Sequence, residues 1–416
     1  MGGQYPTRIF RCTDENFPPS LVSAWLDKIQ EIAPPPETVL GDTGIEGLRL
    51  DFNSGLRLQV PGDETDSYRV VIGNAESGEV YFDEEVSRTI LVSFEKYFMP
   101  WQIEIFHRGE HIFSHTLDLE GQEVFFPFLS GAMGDAIALL PYVAEFIRRH
   151  RCRPRVSLAP YLRDLAIRYY PEMEYADAVG DMTYATYAVG TWMNFLAGAT
   201  VDSRLMPMEE IGKTTFGIPD TIRTVRYTPT KQRTIREPYV CIGVQASGAW
   251  KGWHYPGGWD DVVAYLKESG YRVLCIDRDR ENAWGDMSTT IPNGAEDFTG
   301  DIPLIERVNL LAYADFFVGL GSGLAWLAYA AGCPVVMIVG FTLPWFEFDT
   351  PYRVQNYTKC YGCFNDVRAE YEHVKYCPYH RGTDKQFECS RSITLQQVIL
   401  TIERLRRDSA AHKIKK

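Results

Sequence analysis

Phe316 to Phe346 reads FFVGLGSGLAWLAYAAGCPVVMIVGFTLPWF, a run without one charged side chain. Its length invites a membrane helix. Gly319, Gly321, Gly323, Gly332, Pro334 and Gly340 instead cut it into pieces of strand and helix length. The spacing predicts a strand over 315–320, a helix over 322–331 and a strand over 334–339, all inside a core. No membrane span is expected.

The same alternation extends upstream. Tyr239–Gln245 and Tyr271–Asp277 read as strands, and Trp259–Ser269 and Ile302–Tyr313 as helices. Earlier still, the strand Glu123–Leu129 runs into Ser130-Gly131-Ala132-Met133-Gly134-Asp135 and a helix to His150. Leu140, Val143, Ala144 and Ile147 share one face of that helix. A strand at 155–158 and a helix at 161–170 follow. Strand alternating with helix is the pattern of a parallel α/β sheet. The polar, basic stretch Pro219–Glu237 separates the two α/β regions.

Leu48 to Leu119 behaves differently. Short period-two runs (LRLDF, LRLQV, YRVVIG, TILVSF, WQIEIFHRG) punctuated by Asn53-Ser54-Gly55 and Pro61-Gly62-Asp63 predict an antiparallel β domain, a small barrel or sandwich. One helix is expected near 21–32, ending at Pro34-Pro35-Pro36, and a last helix over 394–407. The organisation is α/β: residues 1–120 β-rich, then two Rossmann-like domains, 121–230 and 231–416, facing across a cleft.

Composition agrees. Of 416 residues, 45% are hydrophobic and 23% charged, which excludes bulk disorder. The charge sum, 42 − 55 = −13, repels phosphate backbones, so no nucleic-acid partner is expected. Met1 to Asn16 lacks the apolar centre of a signal peptide, and a soluble cytoplasmic protein is expected.

Nine cysteines cannot all pair within one chain. Cys12, Cys152, Cys241, Cys275 and Cys333 stand singly and read as reduced core residues. Cys360, Cys363, Cys377 and Cys389 crowd together near the C-terminus. Cys360-x2-Cys363 offers two thiolates from one knuckle, and four thiolates suit a closed tetrahedral site for zinc or a single iron. A full shell leaves no open position for catalysis.

Two strand-to-helix junctions carry glycine, at 131–135 and 319–323. Amides at a helix N-terminus are ready anion donors. Neither junction fits the dinucleotide or Walker A pattern, and tight turning is the plainer reading. Their place at strand carboxyl ends is where open α/β sheets bind ligands. Asp135, in the first turn of its helix, is either a dipole-compensating residue or a carboxylate base. A helix N-terminus lowers its pKa, and burial would oppose that. Lys251 is either a solvated loop lysine or a point charge for a diphosphate. Glu296 and Asp297 are either surface carboxylates or ligands of a ribose diol.

The stretches EPYVCIGVQ (237–245), YRVLCIDRD (271–279), GAEDFTG (294–300), SGLAWLA (322–328) and CYGC…QFEC (360–389) resemble the bacterial autotransporter heptosyltransferases of the TibC and Aah type over most of the chain. GAMGDAIALLP (131–141) is similar to the first loop of the lipopolysaccharide heptosyltransferases. The resemblance implies a GT-B fold with an added N-terminal antiparallel β domain. It also implies ADP-heptose as donor and serine hydroxyls on an autotransporter adhesin passenger as acceptors.

Further implications are one ferric iron per subunit on Cys360, Cys363, Cys377 and Cys389, with zinc the alternative metal, and a homo-oligomer built as a twelve-subunit ring. By the same resemblance Asp135 is the catalytic base and Ala132 and Met133 contact the donor. Lys251 is the cleft lysine, Glu296 sits on the ribose side, and Ser322 and Gly323 start the phosphate-binding helix. Gln245, Ser247, Cys275 and Ile302 fall in the donor pocket. Gly321-Ser322-Gly323 departs from the Asp-Thr-Gly of the lipopolysaccharide enzymes, so the contacts to heptose hydroxyls do not carry over. No Asp-x-Asp metal pair stands in a convincing loop, and an inverting transfer without a divalent metal is expected. The alternative is a GT-B enzyme using a UDP or GDP sugar on a glycan acceptor.

Overall fold

In the computed structural model the charge-free run folds as Phe316–Leu320, the helix Gly323–Ala331 and Val335–Ile338, the two strands lying parallel and adjacent. Gly332 ends the helix at φ 68°, a left-handed position that suits a residue without Cβ. The structure describes residues 8–12, 34, 37–190, 201–284, 287–369 and 376–414. The helix expected at 21–32 lies outside them.

These strands belong to a six-stranded parallel sheet. Its order is Glu296–Asp297, Arg272–Cys275, Tyr239–Gly243, Phe316–Leu320, Val335–Ile338, Arg353–Val354. Every residue of Tyr239–Gly243 and Phe316–Leu320 is buried, because helices cover both faces of a parallel sheet. A second parallel sheet orders Glu174–Tyr175, Arg153–Ser157, Glu123–Pro127 and Thr183–Thr186. The two sheets and their helices form the GT-B pair.

Ahead of them lie two four-stranded antiparallel sheets, and buried residues of both, such as Leu58 and Leu91 with Ile72 and Ile103, share one core. This β domain is sewn to the four-stranded parallel sheet by main-chain bonds from Phe52 N–H to Tyr184 O (2.8 Å) and Thr186 N–H to Phe52 O (3.1 Å). Beneath that seam Arg57 and Asp51 pair at 2.6 Å, both fully buried. Breaking one partner of such a pair costs about 3–5 kcal/mol.

The helix Met133–His150 runs straight through Pro141, which cannot donate to Ile137 O. Thr224 Oγ1 donates to that carbonyl at 3.5 Å, so the polar stretch between the α/β regions supplies a substitute. Tyr142, the next residue, donates to Glu209 O at 2.6 Å and accepts from Ile222 N–H at 3.1 Å.

Three features differ from the sequence reading. Cys12 is exposed, whereas Cys152, Cys241, Cys275 and Cys333 are buried. The last helix spans Leu395–Ile414, because nothing in its polar second half breaks it. Glu281–Trp284 and Met287–Thr290 form an antiparallel hairpin that was not foreseen. Among the described residues no helix is long and apolar enough to cross a membrane.

Candidate active site

A cavity of about 600 Å³ opens where four strand ends from the two parallel sheets meet. Ser130–Asp135 follow Glu123–Pro127, Gln245–Lys251 follow Tyr239–Gly243, Asp277–Asp279 follow Arg272–Cys275, and Gly321–Leu324 follow Phe316–Leu320. Of the residues singled out from sequence, Ala132, Met133, Asp135, Gln245, Ser247, Lys251, Ser322 and Gly323 line it.

The helices Met133–His150 and Gly323–Ala331 aim their N-termini into this space and touch there. A Cβ on Gly323 would stand 2.8 Å from Met133 Cβ. Neither helix spends a side chain on capping: Ala132 and Ser322 occupy the N-cap positions without a side-chain cap bond. Their first amides therefore face the cavity as donors.

Asp135 is buried, and its Oδ2 accepts from Ser130 Oγ at 2.6 Å. Burial raises its pKa above the ordinary carboxylate value, against the Ser130 bond and the positive charge of Lys251. Desolvation therefore outweighs the Ser130 bond and the Lys251 charge together. Lys251 ends the short turn Ala249–Lys251, and its ammonium sits 5.3 Å from the Trp250 ring centre and 5.4 Å from that of Phe341. Burial lowers its pKa, opposed by the charges of Asp135 and Glu347. Ring faces contribute roughly 0.5–2 kcal/mol to a cation. That does not offset the several kcal/mol needed to take an ammonium out of water. The arrangement favours an anionic ligand.

Several lining residues escaped the sequence reading. Asp277 accepts from the Val244 and Gln245 amides at 2.8 and 3.3 Å, and burial pushes its pKa up to about 6. Glu347 accepts from Thr342 Oγ1 at 2.8 Å and pairs with Arg353 at 3.1 Å. Trp250, Trp326, Phe341, Phe346 and Phe364 supply aromatic walls. An acid at the end of an apolar strand was a readable signal for Asp277; the aromatics look like any core residues.

Cys275, Glu296 and Ile302 do not line the cavity. Cys275 Sγ donates to Asp277 Oδ2 at 3.4 Å from behind the wall. Both oxygens of Glu296 accept from Arg272, at 2.8 and 2.6 Å, on the sheet's edge strand. Ile302 lies in the loop before Leu304–Leu311, where Arg307 donates to Gly300 O at 2.7 Å.

Cys360, Cys363, Cys377 and Cys389 all line a second cavity, of about 380 Å³. The hydrogen bond with Cys389 holds the Cys360 thiol down at about 6 against its own burial, and raises Cys389. Among the described residues no group of three or more His, Cys, Asp or Glu side chains stands at metal-binding spacing. The thiols converge without closing into a shell.

The family model described as Glycosyltransferase TibC, N-terminal domain, matches residues 44–109. That of Glycosyltransferase family 9 (heptosyltransferase) matches 213–372. The chain is 40% identical to the autotransporter heptosyltransferase BAHTCr of Citrobacter rodentium, over 89% of this chain and 92% of that protein. It aligns with the crystal structure of the dodecameric iron-containing heptosyltransferase TibC in complex with ADP-D-beta-D-heptose at a TM-score of 0.84 and 39% identity. That match covers 90% of this chain and 99% of that one. BimC of Burkholderia thailandensis, named an inactive autotransporter heptosyltransferase, is 33% identical over 91% of this chain and 93% of its own length. Overall likeness thus extends to relatives with and without activity, and the residues of the cavity must decide the chemistry. By fold, by both family models and by full-length identity, this chain belongs to the autotransporter heptosyltransferase family of glycosyltransferases.

Proposed function

We propose that the chain transfers heptose from ADP-heptose to serine hydroxyls of an autotransporter adhesin passenger, with inversion at the anomeric carbon. The observation that carries this reading is the buried Asp135 and the half-buried Lys251 lining one cavity, with a helix N-terminus from each parallel sheet. In the transfer the serine oxygen bonds to the anomeric carbon, the bond from that carbon to the diphosphate oxygen breaks, and ADP leaves. Lys251 and the amides at Ser322 and Gly323 meet the charge that builds on ADP. Asp135 accepts the serine proton from the opposite face, and its burial makes it a better base than an exposed aspartate.

In this reading residues 121–230 form the acceptor side, 231–416 hold the donor, and 1–120 form the added β domain. Gln245 and Ser247 belong to the donor wall. Cys275 supports it from behind through its bond to Asp277.

Cys360, Cys363, Cys377 and Cys389 hold one ferric iron, with zinc the alternative metal. Four reduced thiols on one cavity fit that group by their donor chemistry. With all four ligands from protein, the metal supplies a cross-link and no reacting position. Twelve subunits form a ring, and the protein works in the cytoplasm on passengers before export.

The test is incubation of the purified chain with ADP-heptose and a passenger fragment, read by intact mass and peptide mapping. Heptosyl additions on serine are expected. Transfer only from a UDP or GDP sugar would overturn the reading.

A further inference from the structure

Lys251 sits on a single turn, Ala249–Lys251, with Gly248 before it and Gly252 after it, so the turn cannot fix the ammonium by itself. What fixes it comes from outside. On one side the Trp250 ring lies 5.5 Å from that of Phe364, nearly parallel at 25°, and 4.5 Å from that of Phe341. On the other, His254 Nε2 donates to Ala249 O at 2.6 Å, while its ring stacks on Phe387 at 4.3 Å.

Both supporting rings belong to the cysteine cluster. Phe364 directly follows Cys363, and Phe387 lies two residues ahead of Cys389. Cys363 lines the cysteine cavity and Phe364 the ligand cavity, so one peptide unit joins the two. The knuckle is fastened to the strand end beside it by Gly362 N–H to Gly340 O and Phe364 N–H to Phe341 O, each 2.9 Å. Cys389 packs on the same place: a Cβ on Gly340 would stand 3.0 Å from Cys389 Cβ.

We infer that the cysteine cluster is the rigid backing of the Lys251 turn, and that Phe364 and His254 are positioning residues that set diphosphate affinity through Lys251. This rests on the reading of Lys251 as the diphosphate lysine. An ammonium on a loose turn occupies many positions, and binding ADP must then pay the ordering entropy that the two ring stacks have already removed.

The experiment compares ADP affinity, by calorimetry, in metal-loaded full-length protein carrying Phe364→Leu, His254→Leu or Lys251→Ala, and in both doubles with Lys251→Ala. Metal content and assembly size are measured on each. Each positioning variant is expected to weaken ADP about fivefold to tenfold with the metal retained. In the Lys251→Ala background the same changes should add less than about twofold, because their route to the ligand is gone. Unchanged ADP affinity in the single positioning variants, or full additivity in the doubles, overturns the inference and leaves the role of Lys251 standing. Unchanged affinity in Lys251→Ala overturns the diphosphate reading and the inference with it. Should Phe364→Leu release the metal, His254→Leu, whose bond is to Ala249, decides alone.

Discussion

Gly134 lies so close beneath the indole of Trp326 that a methyl group on its Cα would stand 2.9 Å from Cδ1. The partner loop answers in kind, with Gly323 against Met133 Cβ. Gly134 and Gly323 lie within helices, so these glycines serve close approach and not a left-handed turn. Each helix start presses on the other, and that contact brings the Asp135 end of one sheet to the Lys251 end of the other.

Gly134→Ala should therefore separate the two helix starts. Overpacking of this kind costs about 1–3 kcal/mol, which a urea titration will read. Transfer should fall by more than the lost stability accounts for, because Asp135 is the next residue and moves with the backbone. A variant with the stability loss and wild-type turnover would make the close approach a matter of packing only.

Asp277 gives the fold a dependence on pH. Its folded pKa, about 6, stands above the ordinary 3.8, so the folded state holds the proton more tightly than the unfolded chain. The stability this contributes is fully present below about 3.8 and is lost as pH rises through about 6. Asp277→Asn cannot titrate. The difference in unfolding free energy between wild type and variant should shrink across that window, by on the order of 3 kcal/mol. A constant difference from pH 4 to pH 7 would place the ionised carboxylate, held by the Val244 and Gln245 amides, as the stable form at both ends.

Much of this was legible in the sequence, for a physical reason. Glycines in an apolar run mark where a strand must turn sharply into a helix, so the junctions at 131–135 and 319–323 stood out. Strand carboxyl ends then placed Asp135 and Lys251 near one cleft. Which side chains finish the wall was not legible. Trp326 and Phe364 read as core because they are core, with one face left to the cavity. Arg272 claims Glu296 by adjacency between strands distant in sequence, which no local pattern records. The Glu281–Trp284 hairpin had a Gly285-Asp286 turn signal, but its arms lack the apolar alternation that marks a half-buried strand.

The purified protein should be coloured and contain one iron per chain, since ferric thiolates absorb visible light strongly and zinc does not. Elemental analysis beside the absorption spectrum checks it. A colourless sample with stoichiometric zinc would replace the metal and keep the four ligands. Cys377→Ser should lower soluble yield and assembly, because Cys377 is buried and a metal bound by three of the four cysteines no longer ties the segments together.

Asp135→Asn separates base from cap. The amide keeps the shape and can still accept from Ser130 Oγ, yet it cannot take the serine proton. Turnover should drop at least ~100-fold, the usual contribution of a positioned general base. ADP affinity should hardly change, since Lys251 and the Ser322–Gly323 amides meet the diphosphate. Ser130→Ala provides the complementary measurement. Its hydroxyl stabilises the ionised carboxylate, so removing it raises the Asp135 pKa further. A base must be deprotonated to act, so the acid limb of kcat/KM should move to higher pH while the plateau survives. Lys251→Ala moves that limb the same way, because its charge also lowers the pKa of Asp135, but it weakens ADP as well. Near wild-type turnover in Asp135→Asn would end the assignment. Equal loss of ADP binding in Asp135→Asn and Lys251→Ala would make Asp135 a structural element of the first helix.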